Sequence, residues 1–328
     1  MAAAMGKAEP VAPRADAPLI AALEAANIHP LWDRYQKITP LAPRAGDAPF
    51  HWRWRDLEPF AERAAREVAI EDVERRALIL AHPAFGGATQ STSNLLAAFT
   101  VLEPGDRAVP HRHTAAAIRF STRARGALTI VNGRRCEMQE GDLVLTPPYC
   151  WHGHINESGH RTIWFDAANM PLICGMDANF FEPGRRDDAE FWKVSDAGSA
   201  LYRYPGEATR AQLDAAAPGA DGAKWLRYLH RESGGAVMPT LDCYALRLQK
   251  GDATRPRRTT WNAILLVVRG EGRSTIGERT IEWSREDVFT IPHWSFARHE
   301  ARGGDADLFV VTDRSVYERL ELAREELQ

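Results

Sequence analysis

Two stretches decide the fold: GDRAVPHRHTAAAIRF, residues 105–120, and GDLVLTPPYCWHGHIN, residues 141–156. In the first, His111 and His113 stand two apart, after a proline and a turn. Residues i and i+2 of a strand point to one face, so both imidazoles can reach a single cation. The second supplies His152 just past the Pro147-Pro148 turn, on a neighbouring strand. Three histidines so arranged make a facial set for a first-row metal. His154 follows on the His152 face and is a further candidate, for handling protons.

Around these stretches lie short runs rich in Leu, Ile, Val, Thr and aromatics, each bounded by Gly, Pro or Asn: RALILAHP, NLLAAFTVL, GALTIVNG and RTIWFDA. Such spacing predicts an all-β sandwich or barrel. Asn132-Gly133 predicts a two-residue hairpin. Strands resume with LDCYALRLQ, WNAILLVV, DVFTIP and DLFVVT. The two strand-rich halves repeat each other. Gly105-Asp106 matches Gly251-Asp252, and Gly126 matches Gly272, at an offset of 146. Asp142 and Pro147 match Asp287 and Pro292 at an offset of 145, which predicts a one-residue shortening in a hairpin. This is a duplicated β-domain. At the three ligand positions the second copy carries Arg257, Thr259 and Ala297, so one metal per chain is expected.

The expected organisation is a helical arm over 1–75, a metal-bearing barrel over 76–185, a connector over 186–235, and a degenerate barrel with a terminal helix over 236–328. FAERAAREV and IEDVERRAL read as solvent-facing helices, and SVYERLELAREELQ as the terminal amphipathic one. Trp32, Trp52 and Trp54 suggest that the arm packs against something. Net charge is -3 with mixed signs, which removes the electrostatic case for nucleic acid. No apolar run approaches the roughly 20 residues that span a bilayer. The start, MAAAMGKAEPVAPRADAP, reads as an Ala/Pro-rich leader without a signal-type apolar region. Four cysteines without CxxC spacing then fit reduced thiols in the cytoplasm.

Where a carboxylate ligand could follow the His-x-His pair, the chain has Ala117 and Ile118. Three neutral imidazoles leave a divalent cation its full charge, which a chelating anion can neutralise. They also leave about three positions of an octahedron open. Iron(II) suits this combination of imidazole and oxygen ligands. Arg119 lies six residues after His113 with the parity of the same face, and its planar fork matches a carboxylate.

The two opening stretches resemble the paired motifs of cupins. Gly105 precedes the His-x-His by five residues; Gly141, Pro147, His152 and Asn156 follow the second motif, with Tyr149 where glycine is usual. The resemblance implies a bicupin, two double-stranded β-helix (jelly-roll) barrels. With HPLWDRYQ (29–36), ERRALILAHP (74–83) and WFDAANMPL (164–172), the chain is similar to the gentisate and salicylate 1,2-dioxygenases. That family implies iron(II)-dependent opening of an aromatic acid between its carboxyl- and hydroxyl-bearing carbons, with both oxygens of O2 inserted. It implies iron on His111, His113 and His152, Arg119 and Arg75 near the substrate carboxylate, and His154 and Asp166 as polar groups of the pocket. Ala115, Thr100 and Leu96 stand where relatives tend to carry two glutamines and a bulky aromatic. The pocket then has room for a 5-substituted salicylate, such as 5-nitrosalicylate, besides gentisate. Family likeness also implies a homo-oligomer, commonly a tetramer. Two rivals are a cupin isomerase for a sugar or sugar phosphate, which usually keeps the glutamate and uses zinc, and a non-catalytic binding bicupin, which often loses its histidines.

Overall fold

Short apolar strands, many buried along their whole length, form two barrels in a computed structural model that describes residues 15–328. Residues 1–14 of the leader-like stretch lie outside the described residues. In the first barrel a six-stranded antiparallel sheet runs Arg203–Tyr204, Leu143–Thr146, Ala117–Arg123, Thr162–Ala168, Leu96–Leu102, Arg76–Ile79. A five-stranded sheet completes it, in the order Phe181–Pro183, His111–His113, His152–Asn156, Ala127–Val131, Arg134–Met138. Parity then separates the faces. Ile163, Phe165 and Ala167 join a core shared with the second barrel, while Trp164 turns into the first barrel's own interior. Phe120 stacks on Phe309 across that join at 4.3 Å. Each such buried ring contributes roughly 1.5–3 kcal/mol. Asn132 and Gly133, at φ 47° and 72°, form the expected two-residue hairpin between Val131 and Arg134.

Strand register confirms the duplication and moves its shortening. Ser121 faces Trp164 as Val267 faces Leu308, but Ala127 faces Met138 as Gly272 faces Trp283. The lost residue therefore falls between Ser121 and Ala127, in the corner before the hairpin, and Gly272 matches Ala127 rather than Gly126. In the first barrel that corner separates two strands. In the second, one strand, Ala263–Ile276, runs through it with irregular pairing around Arg269.

The repeat also reaches further than the sequence reading placed it. Helix Met170–Gly175 leads to strand Phe181–Pro183 on His111–His113; helix Arg314–Arg319 leads to strand Glu325–Leu327 on Arg257–Thr259. The expected terminal helix is thus confined to six residues. The segment beyond it extends because Glu325 and Glu326 pair with Arg257 and Arg258. FAERAAREV is helical as expected up to Glu67, in helix Trp54–Glu67, but buries Ala61 and Ala65, whereas IEDVERRAL supplies only a single turn at Ile70–Asp72 before becoming strand. There Arg76 is buried against Asp106, which ties the segment into the sheet.

Trp54 is buried on Phe99 at 4.8 Å, and Trp52 belongs to the strand His51–Trp52, which pairs with Val288–Ile291. Trp32 belongs to a separate unit, which comprises helices Ala17–Ala25 and Leu31–Ile38; it is exposed, with Nε1 donating to Asp16 at 3.0 Å. No described helix is long and apolar enough to cross a membrane.

Candidate metal centre

His111 and His152 are register partners on neighbouring antiparallel strands, and His113 shares the face of His111. One ligand atom from each of the three lies within 4.8 Å of the other two. Each Nδ1 meets a backbone carbonyl two residues away: Val109 at 2.9 Å, Ala115 at 2.8 Å and Cys150 at 3.0 Å. A ring nitrogen facing a carbonyl carries the proton, so the lone pair is left on Nε2 in all three rings. His152 Nε2 is buried without any partner. Burial first, and Arg75 second, push the His111 imidazole down to about 3. Burial and then His111 do the same to His113, also to about 3, and burial with Arg119 holds His152 well below its ordinary value. Three neutral, convergent and unsatisfied nitrogens are the form that a divalent metal requires.

Arg119 and Asp166 are register partners on adjacent strands, both buried. Arg119 Nε stands 3.3 Å from Asp166 Oδ1, an ion pair without a well-aligned hydrogen bond, and Nη1 donates to Thr146 Oγ1. Asp166 accepts from Thr100 Oγ1 at 2.5 Å and from Trp164 Nε1 at 3.0 Å. Burial lowers Arg119 to about 10 against the pull of Asp166, so it remains a cation at neutral pH. Among the described residues Nη2 has no hydrogen-bond partner, and Nε, though buried, has none either. Burial likewise depresses Arg75, but the charges of Glu74 and Asp166 outweigh it and raise its pKa.

His154 Nδ1 meets Thr129 Oγ1 at 2.9 Å, and its buried Nε2 has no partner. Its ring lies 6.0 Å from that of His152. Burial, then Arg119, holds it well below 6.5, so it is a neutral acceptor and not a group titrating near neutrality. Thr100 and Leu96 share one strand face, Leu96 buried opposite Ala168. Ala115 is buried too, and its carbonyl orients His113.

Sequence reasoning missed Glu74, whose Oε1 lies 3.2 Å from His111 Nδ1. Its only signal was its place beside Arg75. In the second barrel Arg257 faces Ala297 as His111 faces His152, so no ligand set is formed there.

A three-histidine cation site in one of two joined barrels, with a buried arginine beside it, defines a mononuclear metalloenzyme of the cupin class. Residues 98–167 match the cupin domain family. The chain is 31% identical to gentisate 1,2-dioxygenase 1 of Aquipseudomonas alcaligenes, over 92% of this chain and 94% of that one. It is 33% identical to a 5-aminosalicylate 1,2-dioxygenase of Comamonas sp, over 92% and 87%. The solved salicylate 1,2-dioxygenase of Pseudoaminobacter salicylatoxidans, with gentisate bound, superposes with a TM-score of 0.89 at 28% identity, covering 98% of this chain and 96% of that one. The chain belongs to the gentisate/salicylate 1,2-dioxygenase family, and it is a ring-cleaving dioxygenase.

Proposed function

We propose that the protein uses iron(II) on His111, His113 and His152 to open a salicylate-type acid between its carboxyl- and hydroxyl-bearing carbons, adding both atoms of O2. The observation that carries this reading is the convergence of three neutral imidazoles, each with Nδ1 engaged and Nε2 open, beside the buried cation Arg119. Iron bound there would supply open coordination positions and the electron transfer that lets O2 react with an electron-rich ring.

Arg119 holds the substrate carboxylate through Nη2, fixed in place by Asp166 and Thr146. Arg75, just before the edge strand Arg76–Ile79, adds positive charge, and Glu74 helps to orient His111. Neutral His154 accepts a hydrogen bond from the substrate hydroxyl at Nε2. Thr100 has its hydroxyl committed to Asp166, while Leu96 and Ala115 are apolar. That part of the pocket offers little to a hydroxyl substituent, so 5-nitro- and 5-halosalicylates are accepted beside gentisate. The relatives, a gentisate and a 5-aminosalicylate 1,2-dioxygenase, support such tolerance at the 5-position. The same reading takes the enzyme as a homotetramer of aromatic catabolism, with an arm over 1–75, barrels over 76–185 and 236–328, and a connector between. Four free cysteines support a cytoplasmic location.

The test is oxygen uptake by protein loaded with ferrous iron, against a panel of salicylates, with 18O2 as tracer. One O2 consumed per acid and two labelled atoms in a ring-opened product are expected. Uptake with none of the acids, or a single labelled atom, would sink the reading.

A further inference from the structure

The second barrel has lost the metal set but has not been filled. A cavity of about 210 Å3 lies within it. Register equivalences show how the duplicated pocket was rebuilt. Arg119 and Asp166 give way to Leu265 and Val310, so the depth is apolar. Ala77 and Ala98 give way to Trp225 and Tyr244, which put aromatic rings on the wall. His111 gives way to Arg257, a cation at the position of a metal ligand.

Two arginines border the cavity, each held on an aromatic face. The Arg257 guanidinium sits 5.3 Å from the Trp225 ring centre, and that of Arg314 4.9 Å from Trp261. Their carboxylate partners, Glu325 and Glu318, are 41% and 37% exposed, so each arginine can exchange a solvated carboxylate for that of a ligand. The acid on the lining, Asp221, is already engaged, accepting from Trp225 Nε1 at 2.8 Å and from the Ala223 amide at 3.1 Å. His299, buried on the lining, has Nδ1 on Ser274 Oγ at 2.7 Å, which leaves Nε2 for the cavity.

We infer that this cavity is a second ligand site, for a single-ring aromatic carboxylate. The ring lies among Leu265, Val310, Trp225 and Tyr244, and the carboxylate meets Arg257 and Arg314. An apolar cavity of about 150 Å3 holds benzene, so the larger one here has room for a ring bearing a carboxylate. Planar forks backed by aromatic faces suit such an anion better than an alkyl phosphate, which would leave the walls unfilled. The site is independent of the reaction in the first barrel.

Titration calorimetry of the iron-loaded enzyme with benzoate, which has no ortho-hydroxyl, tests this directly. Two benzoates per chain are expected. Arg257→Leu should weaken one of the two sites by about tenfold or more, and Val310→Phe should abolish that site by filling the cavity. Both variants should keep the oxygen uptake of the parent, which separates this site from the first barrel's. Arg257→Leu alone decides the case if Val310→Phe does not fold. A single benzoate per chain whose binding Arg257→Leu leaves unchanged, or two sites indifferent to Arg257→Leu, would overturn the inference.

Discussion

His154 and His299 hold the same place in the two barrels, each with Nδ1 against a hydroxyl, Thr129 Oγ1 at 2.9 Å and Ser274 Oγ at 2.7 Å. The histidine–hydroxyl pair thus persists where the metal ligands have gone. It helps to lock adjacent strands in both copies, and only in the first does a metal site lie beside it. His154→Gln is therefore expected to keep the metal while kcat falls by about tenfold, the scale of one misplaced hydrogen bond. Metal analysis and oxygen uptake on the same preparation check this. Full turnover by the variant would remove His154 from the chemistry.

Asp166 accepts from Thr100 and Trp164 and faces Arg119, so its carboxylate holds the buried cation proposed to bind the substrate. In Asp166→Asn the amide loses the charge and one acceptor oxygen. A buried charge deprived of its partner costs about 3–5 kcal/mol. The expected result is a loss of that order in urea unfolding, with a raised KM as Arg119 loses its support. A variant with unchanged stability and KM would show that Thr146 alone holds the arginine.

Much of this was legible in the chain because strands and ligands leave periodic marks. The i, i+2 histidines, the Asn132-Gly133 turn and the repeated Gly-Asp steps all survive as local patterns. What was hidden depends on distant partners. SVYERLELAREELQ has helical composition, yet its last part becomes a strand through the pairing of Glu325 and Glu326 with Arg257 and Arg258. Arg76 looks like a solvent-facing helix residue until Asp106 is placed beside it. The carbonyls that set the three histidine tautomers cannot be seen in side-chain identities at all. Ala115 was read as a pocket wall, and its backbone oxygen is what holds His113.

Acid sensitivity follows from His299. Burial, partly countered by Asp221 and reinforced by Arg257, lowers its pKa to about 4 from 6.5. The unfolded chain then binds a proton that the folded chain refuses. The stabilisation is complete above 6.5 and is lost as pH falls from 6.5 through about 4. At pH 5 the loss is about 2 kcal/mol. Urea unfolding at pH 7.5 and 5 should show His299→Gln losing about that much less than the parent. Identical pH dependence in the two proteins would contradict the assignment.

Tyr149 and Trp294, equivalent in the two barrels, both adopt left-handed backbone, with φ of 63° and 58°. The conformation turns each amide back to the strand behind it: Tyr149 donates to the His113 carbonyl at 2.8 Å, and Trp294 to that of Thr259 at 2.5 Å. An L side chain in this region costs about 1–3 kcal/mol, which explains why glycine is usual there. Tyr149 is 58% exposed and returns little of that in packing. Tyr149→Gly relieves the strain, while the freer unfolded chain takes back about 0.4–1 kcal/mol. A net gain of about 1 kcal/mol in urea unfolding is expected, with metal content unchanged because the amide still reaches His113. Tyr149→Pro, which lacks the N–H and cannot take positive φ, should instead destabilise the protein and loosen the metal. Equal stability of the glycine and proline variants would show that the turn does not position His113.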